Sequence, residues 1–315
     1  MCEQRDATSG IRLCAIGGQR REWLASEKDE PAGLRWECWL AGKVMPSGSS
    51  RRKSVMQLAL VDRQWLLAGG QWGESAGEWG WDGLELAVGR RQCQQPITEL
   101  AETLGRRVEL ARQGGWEISA ISCRFLYLTP QAPTAALAES VSRIIQLAPQ
   151  LGITVVHVPC LVPNEEESSG WPDCWQRWSE EARRVGVRLA WEWLGEPQRC
   201  RECAEQFATG LAYDLGNRLA LGGDVAGELR QWAVRLVQVR LKDRVRGRPE
   251  QLRPLGEGCV RLTMLAQLLK RIAYQGWLVL DQPAVACDKS ALQQLGQRLR
   301  QALTDTPTPS QALAA

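Results

Sequence analysis

An α/β fold, a (β/α)8 TIM barrel, is what this 315-residue sequence predicts, and three observations carry the prediction. Eight short runs suit buried strands, most follow a helical stretch, and a glycine stands before most of them, where a helix is expected to end. The first run is "SVMQLAL" (Ser54–Leu60). "GWDGLELAV" follows from Gly80, "GWEISAIS" from Gly115, "GITVVHVP" from Gly152 and "GVRLAWEW" from Gly186. "GLAYDLGN" from Gly210, "RLVQVRL" (Arg235–Leu241) and "GWLVLDQP" from Gly276 complete the eight. Helical stretches such as "ITELAETLGRRVELARQG", "AALAESVSRIIQLAPQLG" and "WQRWSEEARRVG" lie between them. Strands alternating with helices at a spacing of roughly 25–40 residues form parallel βαβ units, and eight units close into a barrel. An open doubly wound sheet is the second choice. No Gly-rich phosphate fingerprint follows the first strand, which argues against that sheet and against a nucleotide cofactor.

The flanks read differently. Residues 1–53 mix Arg, Glu, Gly and Ser without a sustained period, and "MPSGSSRRKS" (Met45–Ser54) has a linker composition. A disordered or weakly ordered extension is expected over 1–53, the barrel over 54–304 and a tail over 305–315. Lys and Arg number 39 against 36 Asp and Glu, for a net charge of +3, so neither nucleic acid nor an anionic membrane is indicated as a partner. No run approaches the ~18 apolar residues of a membrane helix, and no secretory leader follows Met1. A cytoplasmic location is the expectation. Eleven scattered cysteines suit reduced thiols, and Cys200 and Cys203 in "RCREC", a lone CxxC, are read as structural. Fifteen Trp against two Phe are read as core bulk.

In a barrel, alternate strand residues point inward, and active sites form at the C-terminal strand ends. Six runs carry an ionisable residue late in the strand, opposite the aliphatic face. They are Glu85 between Leu84 and Leu86, His157 between Val156 and Val158, and Glu192 opposite Trp191 and Trp193. The others are Asp214 opposite Tyr213 and Leu215, Arg240 and Lys242 in "QVRLKD", and Asp281 opposite Leu278 and Leu280. The parity predicts that these side chains converge inside the barrel mouth.

The stretch from about Ser54 to Leu303 resembles the sugar phosphate isomerase/epimerase family, whose fold is a xylose-isomerase-like barrel. "GWDGLEL", "WEISAIS", "LGITVVHVP", "GVRLAWEWLG", "GLAYDLGN", "VRLKD", "PLGEG" and "YQGWLVLD" carry the resemblance, in the family's order. It implies proton transfer α to a carbonyl on a small sugar or sugar phosphate. It also implies one divalent metal, Mn²⁺ or Mg²⁺, held by a Glu, an Asp, a His and a second Glu. Glu192 and Asp214 match the first two. The His falls on Arg240 and the second Glu on Asp281, so the expected metal ligands are Glu192, Asp214 and Asp281, weakened by the arginine. Guanidinium has no acceptor and a permanent charge, so Arg240 replaces a metal's charge and not a ligand. Glu192 and Asp281 are the expected catalytic acid/base pair. Glu85, His157, Asn217, Arg240, Lys242 and Glu257 are the expected substrate-binding residues. Homo-oligomerisation is left open.

Each residue has a plainer reading beside the functional one. Glu192 and Asp214 could form a structural ion-pair network with Arg240 and Lys242, and Glu85 could pair with Arg124. Lys242 could pair with Asp243 at a strand end, His157 could be a core histidine, and Glu257 could sit in a turn. "NEEESSG" (Asn164–Gly170) is read as a solvated loop. The alternative function is a non-catalytic carbohydrate-binding barrel that has lost the metal site. An endonuclease of the same barrel superfamily is disfavoured, because a multi-zinc cluster needs several His and His157 stands alone.

Overall fold

A computed structural model describes residues 56–128, 133–160, 171–193, 197–282 and 288–305. The expected N-terminal extension, the tail beyond Asp305 and the "NEEESSG" run lie outside the described residues. All eight expected strands are present: β1 (Gln57–Val61), β2 (Gly83–Ala87), β3 (Glu117–Ser122), β4 (Val155–Cys160), β5 (Arg188–Trp193), β6 (Gly210–Asp214), β7 (Leu236–Leu241) and β10 (Trp277–Leu280). They run parallel and close on themselves in the order β1-β10-β7-β6-β5-β4-β3-β2. Closure through β1–β10, with Gln57 opposite Trp277 and Leu60 opposite Leu280, excludes the open sheet.

Four of the expected helix-ending glycines have left-handed backbone, at Gly80, Gly115, Gly152 and Gly186, where a side chain would be strained. Before β6 and β10 the left-handed residue is instead an alanine, Ala208 (φ 51°) and Ala273 (φ 50°). One feature was not expected: a short antiparallel hairpin, β8 (Arg244–Val245) with β9 (Arg248–Leu252), follows β7. Its arginines and its Pro hide the strand period.

The main core lies between barrel and helices. The helix Ile97–Gln113 buries Leu100, Leu104, Val108 and Ala111, a stripe at helical spacing that faces the sheet. Trp supplies much of the bulk. Trp65 meets Trp72, Trp79 and Trp116 edge-on at 5.1–6.0 Å, and Trp171, Trp175, Trp178 and Trp191 form a second cluster. Cys200 and Cys203 are buried free thiols on the helix Pro197–Gln206. The barrel interior is lined differently. Ala120, Ala190 and Ala212 lie with Val155 and Val237 on one side, and Ala59, Ala87, Val61 and Val279 lie on the other. Small residues below and beside the long charged side chains of the mouth leave room for them.

Candidate functional site

Strand register sets the site. Asp214 on β6 is paired with Arg240 on β7, and Glu85 on β2 lies beside Val61 on β1. Alternation then turns Glu85, His157, Glu192, Asp214 and Arg240 inward together. Arg240 is fully buried at the centre. Its Nη1 donates to both Glu85 oxygens at 3.0 and 2.8 Å, and Nη2 donates to Asp281 Oδ2 at 2.7 Å. Nε faces Glu192 Oε2 at 3.2 Å. Lys242, the next inward position, brings Nζ to 2.8 Å from Asp214 Oδ2, 3.2 Å from Asp281 Oδ2 and 3.4 Å from Glu192 Oε1.

His157 links two strands. Nδ1 lies 2.8 Å from Ser122 Oγ and Nε2 lies 3.1 Å from Glu192 Oε2. An ionised Glu192 only accepts, which assigns the proton to Nε2 and makes Nδ1 the acceptor from Ser122. Asn217 donates to Asp214 twice, through its backbone N–H at 2.9 Å and its side-chain amide at 2.7 Å. It therefore fixes the orientation of Asp214.

The electrostatics follow from burial and neighbours. Burial alone would raise Glu192, but Lys242, the His157 hydrogen bond and Arg240 outweigh it and hold the carboxyl well below its usual range. For Asp281 burial is again overcome, here by Arg124, Lys242 and Arg240, and the carboxyl is held well down. Asp214 goes the other way: burial, with Glu192 nearby, raises it against the pull of Lys242. Burial opposes the charge on Lys242, yet Asp214, Asp281 and Glu192 keep the ammonium protonated far above its ordinary value. Burial and Arg240 lower His157, which is neutral at physiological pH.

Several expectations are redistributed. Glu85 pairs with Arg240, while Arg124 donates to Asp281 Oδ1 at 2.6 Å. Lys242 points into the cluster instead of pairing with Asp243. The Asp243 carboxylate accepts from the backbone N–H of Arg244, Gly256, Gly258 and Val260 at 2.8–3.0 Å, which ties down the "PLGEG" loop. Glu257 is exposed in that loop, with its N–H bonded to Pro254 O at 2.9 Å. Among the described residues it shares no hydrogen bond or ion pair with the cluster.

Sequence reasoning missed Tyr127, Arg124 as a site residue, and Ser122. Tyr127 donates to Glu192 Oε2 and lies 3.3 Å from Asp281 Oδ2. Lys242 and Arg124 sit over its ring at 5.1 and 4.9 Å. Burial raises its phenol far above the ordinary value, so it stays a neutral donor. Tyr127 and Arg124 lie on the 3-10 turn Arg124–Leu128, where no strand alternation marks an inward position. The one signal available was an Arg and a Tyr directly after a strand's C-terminal end.

The donor set does not fit a divalent metal. Among the described residues no three His, Cys, Asp or Glu side chains are placed to hold one. The expected ligands Glu192, Asp214 and Asp281 do converge, but on the ammonium of Lys242. Oxygens at 2.8–3.4 Å from a common centre are at ammonium distances, well beyond the ~2.1 Å of Mg²⁺.

Fold and site together define a (β/α)8 barrel with a buried ionic cluster at its C-terminal mouth. The chain belongs to the xylose isomerase-like TIM barrel family, whose model matches residues 74–303. Similar solved structures include a xylose isomerase domain protein from Planctomyces limnophilus, with TM-score 0.62, 16% identity, 81% of this chain and 100% of that one. An L-ribulose 3-epimerase has TM-score 0.57 and 16% identity over 83% of this chain and 99% of its own. A xylose isomerase-like barrel protein from Mycobacterium smegmatis, in complex with magnesium, has TM-score 0.55 and 15% identity over 80% and 98%. No curated protein matches the sequence. Among the described residues no helix is long and apolar enough to cross a membrane.

Proposed function

We propose that this barrel is an isomerase or epimerase of a small sugar or sugar phosphate, acting in the cytoplasm by proton transfer α to a carbonyl. One observation carries the reading: Glu192 and Asp281 share the same three donors, Arg240, Lys242 and Tyr127. Two carboxylates bracketed by fixed cations can move a proton while the cations stabilise the enediolate oxygen that develops. Glu192 takes the proton from carbon. Tyr127, bonded to both carboxylates, hands its own proton toward Asp281 and is replenished by Glu192. Asp281 returns a proton to the sugar, and the relayed proton exchanges with solvent while the enediolate is held. His157 and Asn217 hold Glu192 and Asp214 in place, and Glu85 holds Arg240.

The second reading, a carbohydrate-binding barrel without catalysis, has its own support. Every cation of the cluster is already paired inside it, and the lowered Glu192 and Asp281 are weak bases. Solvent exchange separates the two. The protein is incubated in D₂O with a panel of ketoses and ketose phosphates, with Mn²⁺ and with EDTA. Deuterium should enter at least one sugar at the carbon beside the carbonyl. Glu192→Gln should abolish the labelling, and Asp281→Asn should cut product formation by ~10²–10⁴-fold. Binding without exchange would establish the second reading, and exchange that survives both substitutions would remove these residues from the mechanism.

A further inference from the structure

We propose that Lys242 is the resident cation of this barrel mouth: its ammonium occupies the point on which Glu192, Asp214 and Asp281 converge, so the native chain takes no divalent metal there. The three carboxylates come from three different strand ends, β5, β6 and the residue after β10, and they share no sequence neighbourhood. Their oxygens nevertheless lie 3.4, 2.8 and 3.2 Å from one nitrogen. Lys242 itself is 5% exposed, and its ammonium also faces the Tyr127 ring. An ammonium with three donors satisfies three carboxylates at once, which is the electrostatic task of a metal ion at such a point.

Arg240 is a separate device. It serves Glu85, Glu192 and Asp281 from the β2 side of the cluster and, among the described residues, shares no ion pair with Asp214, its neighbour in register. The arginine in the position of a metal-binding His is therefore not what closes the site. A metal at the convergence point would have to sit on Nζ, and moving the lysine aside would leave its charge buried beside a dication. Removing the lysine side chain takes away that repulsion and leaves three carboxylates free to close in by roughly 1 Å on a small cation. The inference concerns metal occupancy alone and holds whether the barrel catalyses or only binds.

Mn²⁺ binding to the full chain tests it by calorimetry and by the electron paramagnetic resonance of the free ion, at mildly alkaline pH. The native protein should give no saturable binding, and EDTA should leave its melting temperature unchanged. Lys242→Ala should gain one site, with affinity higher by roughly a thousandfold or more, and Mn²⁺ should raise its melting temperature. Arg240→His, which supplies a ligand but keeps the lysine, should gain no tight site. Stoichiometric Mn²⁺ binding by the native chain, or destabilisation by EDTA, would overturn the proposal. So would tight binding by Arg240→His, or a folded Lys242→Ala that takes up no Mn²⁺. If Lys242→Ala fails to fold without metal, refolding in Mn²⁺ but not in Na⁺ of equal ionic strength is the expected result, and failure in both would count against the assignment.

Discussion

Tyr213 and Asp214 are consecutive on β6, and alternation sends them to two different buried ionic clusters. Outside the barrel, Tyr213 donates to Glu228 Oε2 at 2.8 Å, and Arg218 clasps the same carboxylate through Nε at 2.8 Å and Nη2 at 2.6 Å. Among the described residues that cluster joins one acid, one cation and one phenol, an acid matched by a cation. Inside, Asp214 joins Glu85, Glu192 and Asp281, four carboxylates against the cations Arg124, Arg240 and Lys242 and a neutral His157. The inner cluster cannot satisfy every member equally, and Asp214 is held up where Glu192 and Asp281 are held down. Burial is common to both. What differs is surplus carboxylate, and ionisable groups with opposed perturbations in one place are the mark of a working site more than of a structural staple.

The largest expected effect tests whether the two clusters differ in kind. Arg240→Met removes the guanidinium from Glu85, Glu192 and Asp281 together, leaving buried carboxylates under-compensated. The expected loss is about 3–5 kcal/mol. Glu228→Gln keeps the shape and one acceptor oxygen for Tyr213 and Arg218 Nε but loses the charge and the second acceptor, so about 1–3 kcal/mol is expected. Urea unfolding of the two variants measures both. Equal losses would mean that the surplus carboxylate of the mouth carries no special electrostatic load.

A smaller effect concerns a carboxylate that neither cluster fully serves. Asp62, at the C-terminal end of β1, accepts from Ala87 N–H at 3.0 Å and from Arg107 at 3.3 Å. Burial nevertheless pushes it from 3.8 to about 6. Between those values the folded protein binds a proton that the unfolded chain does not, so stability should fall as pH rises through the window, by up to about 3 kcal/mol. Asp214, also raised, adds to the same slope. Glu192 and Asp281 have the opposite sign: their contribution is complete above their unfolded values and is lost only as pH falls below about 4. Thermal melts across this range should therefore show a maximum on the acid side, and Asp62→Asn should flatten the fall from about 4 to 6. A slope unchanged by that substitution would return Asp62 to an ordinary ion pair with Arg107.

How much of this was legible follows from what period can encode. Glu85, His157, Glu192, Asp214, Arg240 and Lys242 were found because a period of two fixes the face of each strand residue once the barrel is assumed. The pairing was not legible. Glu85 lies 155 residues from Arg240 in the chain, and which guanidinium meets which carboxylate depends on register and shear around the closed barrel. Tyr127 sits on a turn, which has no face to read. The position of Glu257 was hidden for a related reason: "PLGEG" marks a loop near the mouth, but the sequence does not show that Asp243 ties that loop down through four backbone donors and that Glu257 is exposed in it. The metal question needed the folded arrangement above all, since the family resemblance implies three oxygen ligands and cannot reveal that one lysine nitrogen stands among them.

The smallest expected effect concerns the N-terminal segment. Each barrel strand already has a strand neighbour on either side, because β1 pairs with β2 and with β10. Closure leaves no barrel edge to which a segment N-terminal of Gln57 could add. Residues 1–53 also lack the apolar period that would bury enough surface to offset their chain entropy. We therefore propose that they are dispensable for folding. A chain beginning at Ser54 is expected to melt within about 2 °C of the full chain, a difference worth less than about 1 kcal/mol for a domain of this size. It should also keep the same acid-side maximum, because Asp62 and both clusters lie within residues 54–304. A fall of many degrees would mean that the extension packs on the barrel. A changed acid-side profile at an unchanged melting temperature would place it near the mouth, in contact with the groups that titrate there.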